Sequence, residues 1–278
     1  MTTANYRKLC SLLEARTGEL YVALSGGIDS LTLMTIAAQV RQQPTIAMHA
    51  VSAAVPANAT ERCRALATKF QWQLQEIDAQ EFSNPEYLSN PYNRCYFCKS
   101  SLFNAIQACA RAAGNITVAT GTNTDDLSDF RPGLAAAAEH SVWQPFVEAA
   151  ISKDNIRAMA RTHGLGTLAE LPAAPCLASR VETGIAITAP DLDLIYQVEQ
   201  LVARSCGAGD IRCRVLKRGV VVQVPAGSEL LEQNAVHQPV YQSINSLCAS
   251  AGKRFVGIEQ YTRGSAFVKP VEINYAGS

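Results

Sequence analysis

Charge is scarce and balanced in this sequence. Only 17% of the 278 residues are charged, and 24 Lys+Arg against 24 Asp+Glu give a formal net charge of zero. A long nucleic-acid groove needs a concentrated basic face, so nucleic acid is not an expected partner. A small basic pocket for a phosphorylated small molecule is still compatible with neutrality. Histidine is scarcer still, with four residues, and no C-x-x-C…H-x-x-x-H zinc pattern forms among them. No apolar run approaches the length of a membrane span, and "MTTANYRKLC" lacks a signal-peptide core. The expectation is a cytoplasmic protein with no membrane partner. Internal repeats and low-complexity tracts are also absent.

What is present is a globular composition, 48% hydrophobic, in a chain long enough for one large or two modest domains. The first half alternates strand and helix signals. Strands are predicted at Leu20–Leu24, Thr45–Val51, Gln73–Asp78 (with edge-like alternation) and Asn115–Thr120. Helices are predicted at Ser30–Val40, Thr60–Phe70, Lys99–Ala113 and Ser152–Thr162. Gly114 reads as the C′ residue of the third helix, Ser152 as an N-cap and Gly164 as a stop. Such alternation implies an α/β fold with a parallel sheet. After Leu171 the pattern changes to a proline-punctuated stretch, a helix Ala189–Ser205, a hairpin turning at Arg218–Gly219, a helix Val240–Ala251 and a strand "RFVGIEQ". Two domains are expected, 1–180 and 181–278, the second a smaller α+β unit for substrate binding or oligomerisation.

"YVALSGGIDS" runs a strand straight into two glycines at a helix start. Ser25, Gly26, Gly27, Asp29 and Ser30 place backbone N–H groups and hydroxyls where an anion is favoured by the helix dipole. Asp29 would repel a bare phosphate, but it suits one bridged by Mg²⁺. The turn lacks the lysine of a Walker A loop and is not G-x-G-x-x-G. It resembles the PP-loop of adenine-nucleotide α-hydrolase-like ATP pyrophosphatases, which implies ATP chemistry on a Rossmann-like domain.

The nine cysteines, expected to be reduced, sort into two groups. Cys10, Cys63, Cys109 and Cys248 fall in helical stretches, and Cys206 and Cys213 flank the hairpin's start. For most of these the reading is a buried small hydrophobe. Cys95 and Cys98, in "NPYNRCYFCKSSLF" just before a helix, form a soft-metal bite or a redox pair. Cys176 stands among small residues on a loop where packing does not demand a thiol. Three cysteines make an incomplete zinc site; a three-thiolate iron–sulfur cluster would leave one iron open for an extra sulfide.

"SGGIDS", "NPYNRCYFCKSSLF", "GTNTDDLSDFRPG" and "PAAPCLASR" together resemble the LarE family of ATP-dependent sulfur transferases, over roughly residues 15 to 220. The resemblance implies adenylation of a carboxylate on a pyridinium-3,5-dicarboxylate mononucleotide, then its conversion to a thiocarboxylate for a nickel-pincer nucleotide. Cys176 matches the family's sulfur-bearing cysteine. The C-x-x-C pair aligns the chain with the branch that holds a [4Fe–4S] cluster on Cys95, Cys98 and Cys176, the alternative being sacrifice of the Cys176 sulfur. Ser52 and Ala53 match the adenine cradle, and Arg212 and Arg214, sharing a strand face, match a phosphate-contacting RxR segment whose bland reading is a solvated face. The family also implies a homo-hexamer, with sulfide or a cysteine desulfurase as sulfur source.

Residue chemistry adds further candidates. Arg180 is placed to lower the pKa of Cys176. Gly121, Asp125, Asp126 and Arg131 follow the fourth strand, where α/β sheets bind ligands. The two aspartates hold Mg²⁺ or order the loop, and Arg131 neutralises phosphate or is a solvated charge. Glu148 either faces the site or is a surface carboxylate. Competing readings are a PP-loop tRNA thiolase and a non-catalytic sensor of ATP and an iron–sulfur cluster.

Overall fold

Leu20, Val22 and Leu24 alternate with Tyr21 and Ala23, and both sets are apolar, as a strand covered on two faces requires. In the computed structural model, which describes residues 3–110, 114–128, 131–172, 175–207, 209–232, 235–262 and 264–268, this stretch is the centre of a sheet. In chain order the elements are α1 (Thr3–Ala15), β1 (Glu19–Ala23), α2 (Ile28–Val40), β2 (Thr45–Ala50), α3 (Ala57–Phe70) and β3 (Gln73–Ile77). There follow α4 (Pro85–Leu88), α5 (Arg94–Cys109), β4 (Ile116–Ala119), α6 (Pro132–Glu139), α7 (Pro145–Glu148), α8 (Lys153–Thr162) and α9 (Ala189–Cys206). The chain closes with β5 (Arg212–Leu216), β6 (Gly219–Val224), α10 (Gln238–Ser250) and β7 (Phe255–Gln260).

The fold is α/β, and the residues fall into two compact units, Met1–Asn84 with Cys95–Ala174, and Pro85–Arg94 with Pro175–Ser278. The first unit holds a parallel sheet in the order β3-β2-β1-β4, consistent with a Rossmann-like PP-loop domain. On one face Leu20 and Val22 pack with Leu31, Met34, Phe146, Ile156 and Met159. On the other, Tyr21, Ala23, Ile46 and Met48 pack with Phe103, Ile106 and Ala136. Each of the Val, Leu, Ile, Met and Phe side chains among these contributes about 1.5–3 kcal/mol on leaving water. β3 lies at the sheet edge, as its alternation predicts. Ser152 caps α8 in a reciprocal capping box with Asn155, and Gly164 follows the helix at φ 81°.

Several boundaries differ from the sequence expectation. α5 starts at Arg94, so Cys95 and Cys98 stand inside its first two turns rather than ahead of it. It is assigned to Cys109; residues 111–113 of the expected helix lie outside the described residues, and Gly114 lacks the left-handed φ of a C′ cap. α6 was not anticipated, although Pro132 at its N-terminus is a favourable helix start.

The second unit is a three-stranded sheet, β5-β6 antiparallel and β6-β7 parallel, carrying α9 and α10. Leu216 pairs with Gly219, so the hairpin turns at Lys217–Arg218, one residue before the predicted pair. The glycine serves another purpose: at φ 124°, a Cβ on Gly219 would sit 2.6 Å from the Arg254 carbonyl as β7 approaches. The contact boundary falls after Ala174, where the sequence reading set 180, and the second unit also takes in Pro85–Arg94. Among the described residues no helix is long and apolar enough to cross a membrane.

Candidate functional site

In the first unit the turn between β1 and α2 is closed by its own side chains. The Ser25 and Ser30 hydroxyls lie 3.1 Å apart. Ser25 N donates to Ser30 Oγ at 3.1 Å, and Ser30 Oγ donates to the Gly27 carbonyl at 3.1 Å. Gly26 adopts φ 75°, and a Cβ there would lie 2.9 Å from the Ala59 carbonyl; only glycine permits both. Behind the turn, buried His49 on β2 stands 2.8 Å from the Leu24 carbonyl and 2.9 Å from Thr60 Oγ1. Because a carbonyl only accepts, Nδ1 carries the proton. Arg62 of α3 donates to the Gly26 carbonyl at 2.7 Å. The turn is thereby tied to α3 from behind, while Gly27 begins α2 as its N-cap.

Gly121, just past β4, presses against this turn. A Cβ on it would lie 2.7 Å from Asp29 C and 2.7 Å from Ser30 N, both backbone atoms that cannot yield cheaply. Gly121→Ala is expected to lower stability by about 1–3 kcal/mol through overpacking. A thermal melt checks it, an unchanged melting temperature being the contrary result.

At the mouth, Lys153 Nζ reaches both carboxylate oxygens of Asp29, at 2.6 and 2.7 Å. Burial pushes the Asp29 carboxyl above its ordinary value, Lys153 pulls it down, Asp126 pushes it up and Arg131 pulls it down. Asp125 accepts the Lys153 backbone N–H at 3.0 Å. Asp126 accepts from Asn123 N at 3.1 Å and pairs with Arg131 Nη2 at 2.8 Å. Both aspartates thus order the loop after β4, and Arg131 is matched to a carboxylate. Glu148 accepts from Trp143 Nε1 at 2.7 Å. Ser52 Oγ accepts from Ala54 N at 3.2 Å in the turn that ends β2, with Ala53 exposed on it. Of the expected residues, Ser25, Gly26, Gly27, Asp29, Ser30, Gly121, Asp125, Asp126 and Arg131 form one linked cluster. Lys153 was missed. Its signal was a cation at the first position of a helix, where the dipole disfavours one.

Cys95 and Cys98, three residues apart near the start of α5, share one helical face, and both are half-buried and outside any disulfide. Among the other cysteines Cys63, Cys213 and Cys248 are buried as expected, whereas Cys10 is half-buried and Cys109 exposed at the assigned end of α5. The Cys206 side chain lies outside the described residues. Burial drives the Cys213 thiol well above its ordinary value, and its backbone N–H donates to Glu199 at 3.0 Å. Cys213 is a core residue on the strand face opposite its arginine neighbours.

In the second unit Cys176 is half-buried and opens a short 3-10 turn, Leu177–Arg180. Guanidiniums hold this turn by its backbone. Arg180 donates to the carbonyls of Pro175 and Cys176, at 2.5 and 3.1 Å, and pairs with Glu199 at 2.9 Å. Arg94 donates to the Ala178 carbonyl at 2.9 Å, and Arg214 to the Ser179 carbonyl at 3.1 Å. All three arginines are buried. Arg180 therefore acts on the Cys176 backbone, its charge met by Glu199. Arg214 also donates to the Gln223 side chain at 3.1 Å, so these two acceptors are neutral. Burial, reinforced by Arg180, lowers its guanidinium to about 10. Arg212 bonds Asp210 at 3.2 Å and lies over the Tyr261 ring at 5.6 Å. The buried Arg214 charge, bonded to two neutral acceptors, would be stabilised by an arriving anion.

Among the described residues no three His, Cys, Asp or Glu side chains form a group that could hold a metal ion. The donors are nonetheless of the fitting kinds: a carboxylate at the turn, Asp29, that would suit Mg²⁺, and thiols sharing one helical face that would suit iron.

No family model matches the chain. The uncharacterized protein slr1717 of Synechocystis is 36% identical over 204 residues, covering 73% of this chain and 75% of that protein. The uncharacterized protein MJ0830 of Methanocaldococcus jannaschii is 28% identical over 206 residues, 74% of this chain and 77% of its own. The pyridinium-3,5-bisthiocarboxylic acid mononucleotide synthase of Lactiplantibacillus plantarum is 26% identical over 194 residues, 69% of this chain and 70% of its own.

Proposed function

The chain belongs to the family of the Synechocystis protein slr1717, and we propose that it is an ATP-dependent sulfur transferase of the LarE type. Its substrate is a pyridinium-3,5-dicarboxylate mononucleotide, one of whose carboxylates becomes a thiocarboxylate in forming a nickel-pincer nucleotide. The distant likeness to the Lactiplantibacillus synthase supports this assignment. The observation that carries the chemistry is the half-buried Cys176 thiol on a turn whose carbonyls are held by Arg94, Arg180 and Arg214.

Two half-reactions follow. The substrate carboxylate oxygen attacks the α-phosphorus of ATP; an O–P bond forms, the bridging P–O bond breaks, and pyrophosphate leaves with its electron pair. Backbone N–H groups at Gly26 and Gly27 and the N-terminus of α2 bind the departing phosphates. Asp29 would hold Mg²⁺, which would screen their charge, and Lys153, paired with Asp29 at the mouth of the turn, is the side-chain cation placed to meet the same oxygens. Sulfur then attacks the acyl carbon and AMP departs, a far better leaving group than oxide. Arg212 and Arg214 bind the substrate phosphate. Cys95, Cys98 and Cys176 would hold a [4Fe–4S] cluster, which supplies a transferable sulfide when bound. Sulfide, or persulfide sulfur from a cysteine desulfurase reduced to sulfide by two equivalents of a small thiol, would restore it, in a cytoplasmic homo-oligomer.

Anaerobic purification with iron and sulfide analysis tests the cluster assignment. About four irons per chain are expected in the wild type, and a marked loss in Cys95→Ala. An iron-free wild type whose Cys176 loses the mass of H₂S on turnover would overturn it in favour of a sacrificial cysteine. Absence of any ATP-dependent thiocarboxylate under either condition would remove the whole reading.

A further inference from the structure

We infer that Asn90 and Arg94 are positioning residues that clamp the Cys176 turn in register for sulfur transfer, an inference that rests on the sulfur-transferase reading. The segment Pro85–Arg94 precedes the rest of its unit by some eighty residues, yet it packs as part of that unit. Two buried polar side chains explain why. Asn90 sits at φ 53°, a left-handed conformation that asparagine tolerates better than most residues. Its amide nitrogen donates to the carbonyls of Glu182 and Ile185, both at 2.9 Å, and lies 3.4 Å from that of Val181. Its own carbonyl accepts from Gly184 N at 2.9 Å. Its side-chain oxygen accepts from Arg94 Nη1, the same nitrogen that donates to the Ala178 carbonyl. A second backbone bond, Ile187 N to the Leu88 carbonyl at 2.8 Å, pins the other end.

The clamp therefore spans residues 178 to 187, beginning two residues after Cys176. A buried guanidinium used to hold a neutral carbonyl is an expensive way to stabilise a loop, and apolar packing would serve where stability alone was needed. What it adds is a fixed backbone. Arg94 immediately precedes Cys95, so the chain leading into the C-x-x-C pair and the turn bearing Cys176 are anchored through one side chain. A reacting sulfur misplaced by about 1 Å can lose about a hundredfold in rate.

The test compares wild type, Arg94→Gln, Arg94→Lys and Asn90→Gly; glycine keeps the left-handed backbone while deleting the amide. Two measurements are made on the intact chain. Site-resolved alkylation by N-ethylmaleimide, quantified by peptide mass spectrometry, reports order at Cys176. Pyrophosphate release and thiocarboxylate formation report the two half-reactions. Expected in Arg94→Gln and Asn90→Gly is alkylation of Cys176 faster by about tenfold, as local opening becomes easier. Thiocarboxylate formation should fall by about tenfold or more, with KM for ATP and pyrophosphate release within about twofold of wild type. Arg94→Lys, which keeps a donor but loses the fork, should fall between. Unchanged alkylation and transfer overturn the inference, as does an equal loss of both half-reactions, the mark of a merely structural role. Should Arg94→Gln fail to fold, Asn90→Gly and Arg94→Lys decide by the same criteria. If the wild type forms no thiocarboxylate the sulfur-transferase reading falls, while the alkylation rates still decide whether the clamp orders Cys176.

Discussion

Cys176→Ala is expected to abolish thiocarboxylate formation, by a factor of about 10³ or more, while ATP is still cleaved to AMP and pyrophosphate in the presence of the dicarboxylate nucleotide. The split follows from where the groups lie. The groups proposed to handle the phosphates of ATP, the Gly26–Gly27 bend, Asp29 and Lys153, all belong to the first unit. Cys176 belongs to the second, on a turn fixed by carbonyl bonds that involve its main chain rather than its thiol. Removing one sulfur atom therefore leaves Arg180–Glu199 and the Ser179–Arg214 bond in place. Cys176→Ser should behave alike, because a hydroxyl at its ordinary pKa is a poor nucleophile and contains no sulfur to transfer. Measuring pyrophosphate and thiocarboxylate in one reaction checks both halves. Full sulfur transfer by Cys176→Ala, with or without added sulfide, would remove Cys176 from the chemistry.

The parts of this site legible in the sequence are those whose chemistry is local. Strand, Gly-Gly turn and helix follow one another within residues 19 to 40, so the bend between β1 and α2 could be placed from "YVALSGGIDS" alone. Arg212 and Arg214 share a face because strands alternate, and the structure finds both there, one buried among neutral acceptors. The same alternation sends Cys213 into the core, which answers why a thiol stands between two arginines. What was illegible depends on distant residues. Nothing periodic in "NPEYLSNPYNR" announces that it joins a unit resuming at Pro175. Arg180 reads as a cation beside a thiol, and only Glu199, nineteen positions on, shows that its charge is already balanced. Gly219 reads as a turn residue until Arg254 is seen passing over it.

Lys153→Met is expected to reduce pyrophosphate release by about 10²–10³-fold, the scale found when one preorganised charge is removed from a developing anion, with a smaller change in substrate binding. Methionine keeps the stem, so packing along α8 is preserved and the lost quantity is the ammonium. Without nucleotide that ammonium neutralises Asp29 through paired contacts of 2.6 and 2.7 Å. On the proposed function, Mg²⁺ and ATP would occupy the Asp29 carboxylate and leave Lys153 for the phosphates. The variant thus loses a cation at the moment of bond breaking. Its apo form carries a second signature. Burial already holds the Asp29 carboxyl above its ordinary value, and Lys153 is the largest influence opposing that. Removing it raises the folded-state value further. A carboxyl whose folded pKa exceeds its unfolded one destabilises the fold above the folded value, and that penalty fades as pH falls to the ordinary carboxylate range. Lys153→Met should therefore melt below wild type at neutral pH and approach it on acidification, while added Mg²⁺ at neutral pH restores part of the difference. Wild-type pyrophosphate kinetics in the variant would detach Lys153 from catalysis, and a pH-independent melting difference would show that its tie to Asp29 carries no weight in the fold.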